Sequence, residues 1–210
     1  MSEAPLEPLS LCGREIRLDA LEPRHAPALA AASAVDPSLY RWSPIPDGAA
    51  SAAAYIDTAL QWQRAGTAIP FVIIRIRDEA VIGSTRFWNM ERWKWPQGHE
   101  RFGRGIPDVC EIGYTWLTSS AIRTRANTEA KYLMLRHAFE EWGVLGVCLH
   151  TDLRNLRSQA AMERLGARKD GVLRAHRLAA DYTPRDSVRY SIVAAEWPEV
   201  RLRLMQFLDR

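Results

Sequence analysis

The chain has 210 residues, of which 47% are hydrophobic and 25% are charged, a composition typical of folded globular proteins. Lysine and arginine number 28 against 25 aspartates and glutamates, a surplus too small to predict nucleic-acid binding. Three cysteines cannot form a closed disulfide framework, and their spacing matches no metal site. Because neither a signal peptide nor an apolar run of about 20 residues is visible, we expect a cytoplasmic protein without a membrane-spanning segment.

The first 88 residues predict one strand, two helices and a hairpin. Alternating apolar residues at 13–19 indicate a half-buried strand, and alanine-rich or amphipathic segments at 23–34 and 51–64 indicate helices. Residues 71–77 are rich in β-branched side chains and are typical of a strand. We expect a tight turn after them and a hairpin partner at 81–88.

The middle of the chain predicts a long loop followed by alternating strands and helices. Glycine and proline recur through 89–107, and loops of that length are usually functional or mobile. A strand at 109–117 then precedes the strongest helix, 127–142, which Asn127 or Thr128 would cap. A short strand at 147–151 leads into a second helix at 155–165.

The last third predicts two strands, 168–178 and 187–195, and an amphipathic helix at 197–208. The resulting order is β-α-α-β-β-β-α-β-α-β-β-α. We therefore expect one α/β domain of the α+β type over residues 1–210. Its sheet would be mostly antiparallel, with a β-α-β crossover in the middle.

Two helix starts are candidates for ligand binding. The N-terminus of a helix carries unpaired N–H groups and a positive dipole end, so the turn before Asn127 suits a phosphate. Arg123 and Arg125 would add charge there, although two solvated arginines in an ordinary turn explain the same residues. At the second start, Asn155 lies three residues before Ser158, the spacing of a helix cap. This spacing is explained by ordinary capping, or by a helix start that lies at the edge of a ligand cleft.

The segments EIGYTWL at 111–117, NTEAKYLMLRHAFE at 127–140 and TDLRNLRSQAAMERLGA at 151–167 resemble the GNAT N-acyltransferases. The opening GREIRLDALEPRHAPAL and the ending YSIVAAEWPEV resemble the RimJ/RimL-type branch of that superfamily, which acetylates protein N-termini and small amines. The resemblance covers nearly the whole chain and does not specify the acceptor.

The resemblance implies an N-acyltransferase that transfers acetyl from acetyl-CoA, without a metal, to a primary amine of a peptide or small molecule. Two neighbouring strands would splay apart into a cleft for acetyl-CoA. Backbone groups of Trp116 and Leu117 would pair with the pantetheine arm, Asn155 would hydrogen-bond it, and Ser158 would lie near the thioester sulfur. The pyrophosphate would be held by the turn and helix start formed by Arg123, Thr124, Arg125, Ala126, Asn127 and Thr128.

The sequence departs from the family pattern at two positions that matter for activity. The family's pyrophosphate turn carries Q/R-x-x-G-x-G/A, and both glycine positions fall here on Arg123 and Arg125. A degenerate domain that binds CoA weakly or not at all, and serves as an interaction module, is therefore the alternative. Many relatives also place a tyrosine acid in the helix after Asn155, where this chain leaves Ser158 as the local donor.

Glu111 is the first candidate for the base that removes a proton from the amine, directly or through water. An ion-paired or solvated glutamate is the alternative, and Asp108 is a weaker second candidate. Trp88, Trp93 and Trp95 are candidates for binding the acceptor, since aromatic faces suit an apolar or cationic amine. His176, with Asp186 across the terminal hairpin, is a further candidate for the acceptor side, and a plain cross-strand polar pair is the alternative. A hydrophobic loop anchor or a homodimer contact explains the tryptophans as well.

Overall fold

The computed structural model describes residues 7–179 and 182–209. These residues form an eight-stranded sheet in the order β1-β2-β3-β4-β5-β6-β8-β7. The strands are β1 (Leu11–Cys12), β2 (Ile16–Ala20), β3 (Ala68–Arg75), β4 (Ala80–Glu91), β5 (Val109–Leu117), β6 (Gly146–Asp152), β7 (Arg168–Leu178) and β8 (Pro184–Val193). Every neighbouring pair is antiparallel except β5 and β6, which are parallel. The predicted mixed sheet with a central β-α-β crossover is confirmed.

Five α-helices pack against this sheet in the described chain. They are α1 (Ala26–Ala34), α2 (Gly48–Arg64), α3 (Ala126–Arg136), α4 (Leu156–Leu165) and α5 (Trp197–Leu208). The predicted bounds of β5, β7 and α5 coincide with the observed bounds. Helix α3 ends at Arg136 and continues as a π-helical turn, His137–Glu141, so the predicted regular helix to residue 142 was too long.

The side chains of β3 show how the sheet separates two cores. Phe71 and Ile73 belong to the larger apolar cluster, which contains residues of α3 and α5. Val72 and Ile74 belong to the second cluster, with residues of α1 and α2. Successive side chains of a strand point to opposite faces, so the nearly continuous apolar run of β3 reflects burial on both faces.

Helix α3 is also tied to the N-terminal strands by a buried carboxylate. Glu129, in its first turn, accepts hydrogen bonds from the backbone N–H groups of Arg14, Glu15 and Ile16. A Cβ atom at Gly13 would come within 2.6 Å of this carboxylate, so glycine is needed there for the close approach. This contact fixes the start of α3, and with it the turn before the helix, against the sheet.

Candidate active site

A cleft opens between β5 and β6 because their pairing stops early. The parallel register runs only from Val109 opposite Gly146 to Glu111 opposite Cys148. Beyond that point β6 continues to pair with β8, whereas the facing edge of β5 has no strand partner among the described residues. The predicted splaying of these two strands is therefore observed.

A β-bulge shapes the exposed edge of β5. Ser84 lies opposite Trp116 and Arg86 opposite Gly113, so β5 carries one extra residue between these pairs. Tyr114 sits in this bulge with a φ angle of 52°, in the left-handed region. A bulge bends the strand and leaves backbone groups outside the ladder. It therefore turns the middle of β5 towards the cleft.

The cleft has a volume of about 500 Å³. Its walls come from the connection between α1 and α2, from β5 and β6, from the start of α3, from α4 and from the β7–β8 hairpin. Polar and charged side chains on these walls include Glu111, Arg123, Asn127, Lys131, His150, Asn155, Ser158, Arg177 and Arg185. The site is thus built from separate parts of the chain that the fold brings together.

Glu111 lies on the wall of the cleft but is almost fully buried, with 2% of its surface exposed. Both carboxylate oxygens accept hydrogen bonds from Arg177, at 3.1 and 2.7 Å. Burial alone would raise the pKa of Glu111, but the contacts with His150 and Arg177 outweigh it and hold the pKa below its usual value. Glu111 is therefore an ion-paired carboxylate that faces the cleft.

His150 on β6 is the second titratable group beside Glu111. Its Nδ1 lies 3.1 Å from the Glu111 carboxylate, although the ring is not oriented for a well-formed hydrogen bond. The ring also lies 5.0 Å from the ring of His176, measured between centroids. His150 lines the cleft and His176 does not, so His150 is the histidine that the sequence analysis missed.

Asp108 does not line the cleft, and its side-chain hydrogen bonds are to residues of the preceding loop. It accepts hydrogen bonds from the backbone N–H of Trp93 and from Nε1 of Trp95, and it pairs with Arg101. Burial would raise its pKa, but these donors lower it below the usual value. Asp108 thus anchors the loop that precedes β5.

The tryptophan cluster divides into two groups, and neither lines the cleft. Trp93 and Trp95 lie in the loop that Asp108 anchors, at the end of β5 opposite the cleft, which agrees with the loop-anchor alternative. Trp88 packs against Trp62 and Tyr114, with ring centroids 4.5 and 5.5 Å apart. These tryptophans and His176, which were predicted to bind the acceptor, are therefore not part of the cleft wall. Trp88 contacts Tyr114, which does line the cleft.

The two arginines at the family's glycine positions have different backbones. Arg123 has a φ angle of 63°, in the left-handed region that favours glycine. Arg125 has a φ of −71°, which suits any residue, and its guanidinium pairs with Glu15 at 3.0 Å. Arg123 lines the cleft and Arg125 does not. Only the first position therefore carries a conformational cost from the missing glycine.

The start of α3 differs slightly from the prediction. The helix begins at Ala126, whose backbone N–H donates a hydrogen bond to the hydroxyl oxygen of Thr124. Neither Asn127 nor Thr128 is therefore the cap. Thr128 is buried and accepts a hydrogen bond from Arg164. Of the predicted phosphate ligands, Arg123, Thr124 and Asn127 line the cleft. Thr128 lines a neighbouring pocket together with Arg123, Thr124 and Arg125, and Ala126 is buried.

The start of α4 agrees with the expected capping. The Asn155 side chain accepts the backbone N–H of Ser158 at 3.1 Å, and both residues line the cleft. This leaves the amide N–H₂ of Asn155 and the hydroxyl of Ser158 facing the same space. Trp116 and Leu117 also line the cleft, but the Leu117 carbonyl already accepts a hydrogen bond from Tyr40.

Lys131 is a buried amine on the wall of the cleft. It follows Asn127 by one helical turn, and its Nζ contacts the hydroxyl of Thr115 at 2.5 Å. Burial lowers its pKa to about 7. A helical wheel places Lys131 on the same face as Asn127, so this residue could have been found from the sequence.

Residues 15–168 match the family described as the acetyltransferase (GNAT) domain, which is more than half of the chain. The chain belongs to the GNAT acetyltransferase family. The predicted family is therefore confirmed, and this GNAT protein is an N-acyltransferase of a family that uses acetyl-CoA. No curated protein matches the chain significantly in sequence.

Several solved structures share the fold. A structure from T. thermophilus with an acetyltransferase assignment is 33% identical, covers 96% of this chain and 97% of its own, and has a TM-score of 0.76. A GCN5-related N-acetyltransferase from Brucella melitensis is 23% identical, with coverages of 97% and 87% and a TM-score of 0.81. Mycobacterium smegmatis RimJ, solved with CoA-disulfide, is 21% identical, with coverages of 96% and 97% and a TM-score of 0.77. The last two share the fold of this chain, and the RimJ structure is consistent with the predicted RimJ/RimL-type branch.

No helix among residues 7–179 and 182–209 is both long and apolar enough to cross a membrane. Within the same residues, no group of three or more histidine, cysteine, aspartate or glutamate side chains is arranged to hold a metal ion.

Proposed function

We propose that this GNAT protein transfers the acetyl group of acetyl-CoA to a primary amine of a protein N-terminus or a small molecule. The amine attacks directly while both substrates occupy the cleft. The observation that carries the proposal is the early end of the β5–β6 pairing at Glu111. It leaves an unpaired strand edge between two helix starts, a usual ligand site in sheets with parallel strands.

The residues at one end of the cleft fit the phosphates of CoA. Arg123 offers a guanidinium, and the first turn of α3 around Asn127 offers backbone N–H groups and the positive end of the helix dipole. The unpaired edge of β5, near Trp116 and Leu117, suits the amide groups of the pantetheine arm. Asn155 would hydrogen-bond the same arm through its amide N–H₂.

Glu111 and His150 are the groups to which we assign proton removal. An amine with a pKa near 10 is mostly protonated at neutral pH and must lose a proton before it attacks. The ion pair with Arg177 keeps Glu111 ionised, but it also makes the carboxylate a weak base. Glu111 would therefore act through His150 or a water, stabilising the positive charge that develops there.

The remaining groups serve the oxyanion and the thiolate. The thioester supplies an acetyl group whose carbonyl oxygen becomes negative as the amine attacks. A backbone N–H of the bulged part of β5, near Trp116, would hydrogen-bond that oxygen. The Ser158 hydroxyl, at the start of α4, would hydrogen-bond the departing thiolate.

Two measurements test this proposal. Calorimetry with acetyl-CoA should give saturable binding, and mass spectrometry of peptides, polyamines and aminoglycosides incubated with acetyl-CoA should reveal an acetylated product. No binding at millimolar acetyl-CoA would instead support the degenerate interaction module, which the arginines at the glycine positions first suggested. Binding without any acetylated amine in a broad panel would contradict catalysis but not the cofactor site.

A further inference from the structure

Three arginines lie at or behind the part of the cleft wall that contains Glu111 and Tyr114, which we call the acceptor end. The Arg86 guanidinium carbon lies 4.2 Å from the centre of the Tyr114 ring. Arg177 reaches this end through its ion pair with Glu111. Arg185 faces Arg177 across the β7–β8 ladder, and both line the cleft.

The nearby carboxylates do not balance these three charges. Arg177 takes both oxygens of Glu111, and Arg154 takes both oxygens of Asp152. Arg185 donates to the neutral hydroxyl of Ser187 at 3.0 Å. Within residues 7–179 and 182–209, no carboxylate lies within ion-pair distance of Arg185.

Arg86 adds a second unbalanced charge behind the wall. It is 1% exposed, and its Nε and Nη2 atoms have no hydrogen-bond partner in the described chain. Its guanidinium is held instead by the rings of Tyr55, Trp62 and Tyr114, with distances of 4.8, 5.3 and 4.2 Å to their centres. Arg86 is too buried to touch a ligand, but its charge acts across Tyr114.

An unpaired guanidinium in a partly buried site favours a bound anion. Burial and the neighbouring Arg177 lower the pKa of Arg185, and the carboxylates of Asp152 and Glu111, which form no ion pair with it, offset this lowering only in part. Arginine nevertheless stays protonated in proteins, and its planar fork matches the two oxygens of a carboxylate. A cationic amine without a negative group of its own would be repelled from this end of the cleft.

We infer that the acceptor is an amine that also carries a carboxylate, and that Arg185 binds this carboxylate. The inference rests on the proposed amine acetylation and names the substrate class for the same site. The carboxylate can belong to a free amino acid or to an acidic side chain next to a peptide N-terminus. Arg185 is then a specificity-determining residue, and Arg86 supports it from behind.

Matched pairs of acceptors test the inference. An amino acid is compared with its amide, and a peptide with aspartate at its second position is compared with the asparagine peptide. At saturating acetyl-CoA, kcat/KM for the acid should exceed that for the amide about 10- to 100-fold, the value of a charge-assisted hydrogen bond. The pair with the larger ratio identifies the source of the carboxylate.

Substitutions on β8 separate recognition from structure. Arg185→Gln should reduce the acid-to-amide ratio towards one, and Arg185→Lys should keep part of it. Arg189→Gln is the matched control, because Arg189 lies on the same strand but pairs with Asp170 and does not line the cleft. It should leave the ratio unchanged. Equal rates for acid and amide in the parent, or an unchanged ratio in Arg185→Gln, would overturn the inference.

Equilibrium binding distinguishes this inference from the proposed function. If acetyl-CoA fails to bind, or no amine is acetylated, the proposed function fails, and calorimetry with the amino acid and its amide still tests Arg185. Tighter binding of the acid that Arg185→Gln abolishes would uphold the carboxylate site. Equal binding of the two would overturn it.

Discussion

The two ends of the cleft are built in different ways. The phosphate end comes from one continuous stretch, the turn containing Arg123 and the first turn of α3. The acceptor end joins Glu111 of β5, His150 of β6 and Arg177 of β7, and 66 residues separate Glu111 from Arg177. The first end depends on local backbone geometry, and the second depends on strand order.

This difference affects how each end tolerates substitution. At the phosphate end, several backbone N–H groups and one guanidinium would bind the phosphates together. The loss of one side chain therefore leaves the backbone donors in place. At the acceptor end, Glu111 and Arg177 form an ion pair that joins two different strands. Removing one member leaves a buried charge without compensation. We therefore expect the largest effects at the acceptor end.

Glu111→Gln should have the largest effect on turnover. The amide keeps the shape of the side chain but cannot stabilise a developing positive charge on His150, and general-base assistance is typically worth about 10²–10⁴ in rate. Turnover of an identified acceptor should fall by that factor, while acetyl-CoA binds normally by calorimetry. The loss should shrink at high pH, where the amine deprotonates unaided. Near-parental turnover at pH 7 would exclude Glu111 and leave His150 or an ordered water as the proton acceptor.

Asp108→Asn is the matched control for Glu111→Gln, because it alters a buried carboxylate three residues earlier in the chain. Asp108 binds donors of the loop before β5 and does not line the cleft. Its loss should lower the free energy of unfolding by about 1–3 kcal/mol, with turnover retained at temperatures where the protein is folded. Urea denaturation and steady-state rates measure the two effects separately. A selective loss of turnover would contradict the assigned anchoring role.

The pH dependence of that stability has a definite sign. The pKa of Asp108 in the folded protein lies below the value of 3.8 expected for the unfolded chain. The ionised carboxylate therefore contributes its full stabilisation above about pH 4, and this contribution falls as the pH drops towards the folded-state pKa. Urea denaturation between pH 5 and pH 3 should show a gap between parent and Asp108→Asn that narrows with acidification. A gap that widens would contradict the lowered pKa.

Arg123→Ala should have a moderate effect on cofactor binding. The substitution would remove one charge-assisted hydrogen bond between the protein and a CoA phosphate, which corresponds to about a tenfold weaker affinity for acetyl-CoA. Arg125→Ala is the comparison, since Arg125 pairs with Glu15 and lines only the neighbouring pocket beside the start of α3. Calorimetry should show the loss in the first variant and little change in the second. Unchanged affinity in both would make these arginines solvated turn residues.

Glycine substitutions at the same two positions should give the smallest effect. Arg123 occupies a left-handed conformation that costs a non-glycine residue about 1 kcal/mol, whereas the conformation of Arg125 does not. The free energy of unfolding of Arg123→Gly should therefore exceed that of Arg125→Gly by about 1 kcal/mol. Thermal or urea denaturation of the pair measures this difference. Equal stabilities would show that the turn relaxes around Arg123.

Much of the fold could be predicted from local patterns. Strands β5 and β7 and helix α5 were predicted with their observed bounds, because their hydrophobic periods are regular. Strand β4 runs to Glu91, beyond the predicted end at residue 88. Asn89 interrupts the regular geometry with a φ of 46°, and Met90 is buried again after it. When a turn-forming residue lies inside a strand, the alternating pattern stops at that residue, and the last residues of the strand are not predicted.

For the site, the sequence by itself placed the start of α3 to within one residue and identified the capping of α4 by Asn155. Each depends on neighbours within a few residues, and so the local chemistry is sufficient. Only the tertiary structure decided that Glu111 faces the cleft and Asp108 does not, since the two carboxylates differ in their distant partners rather than in local sequence. It also joined Arg177 to Glu111 and left Arg185 without a carboxylate partner among the described residues, because strand pairing brings together charges that lie far apart in the chain.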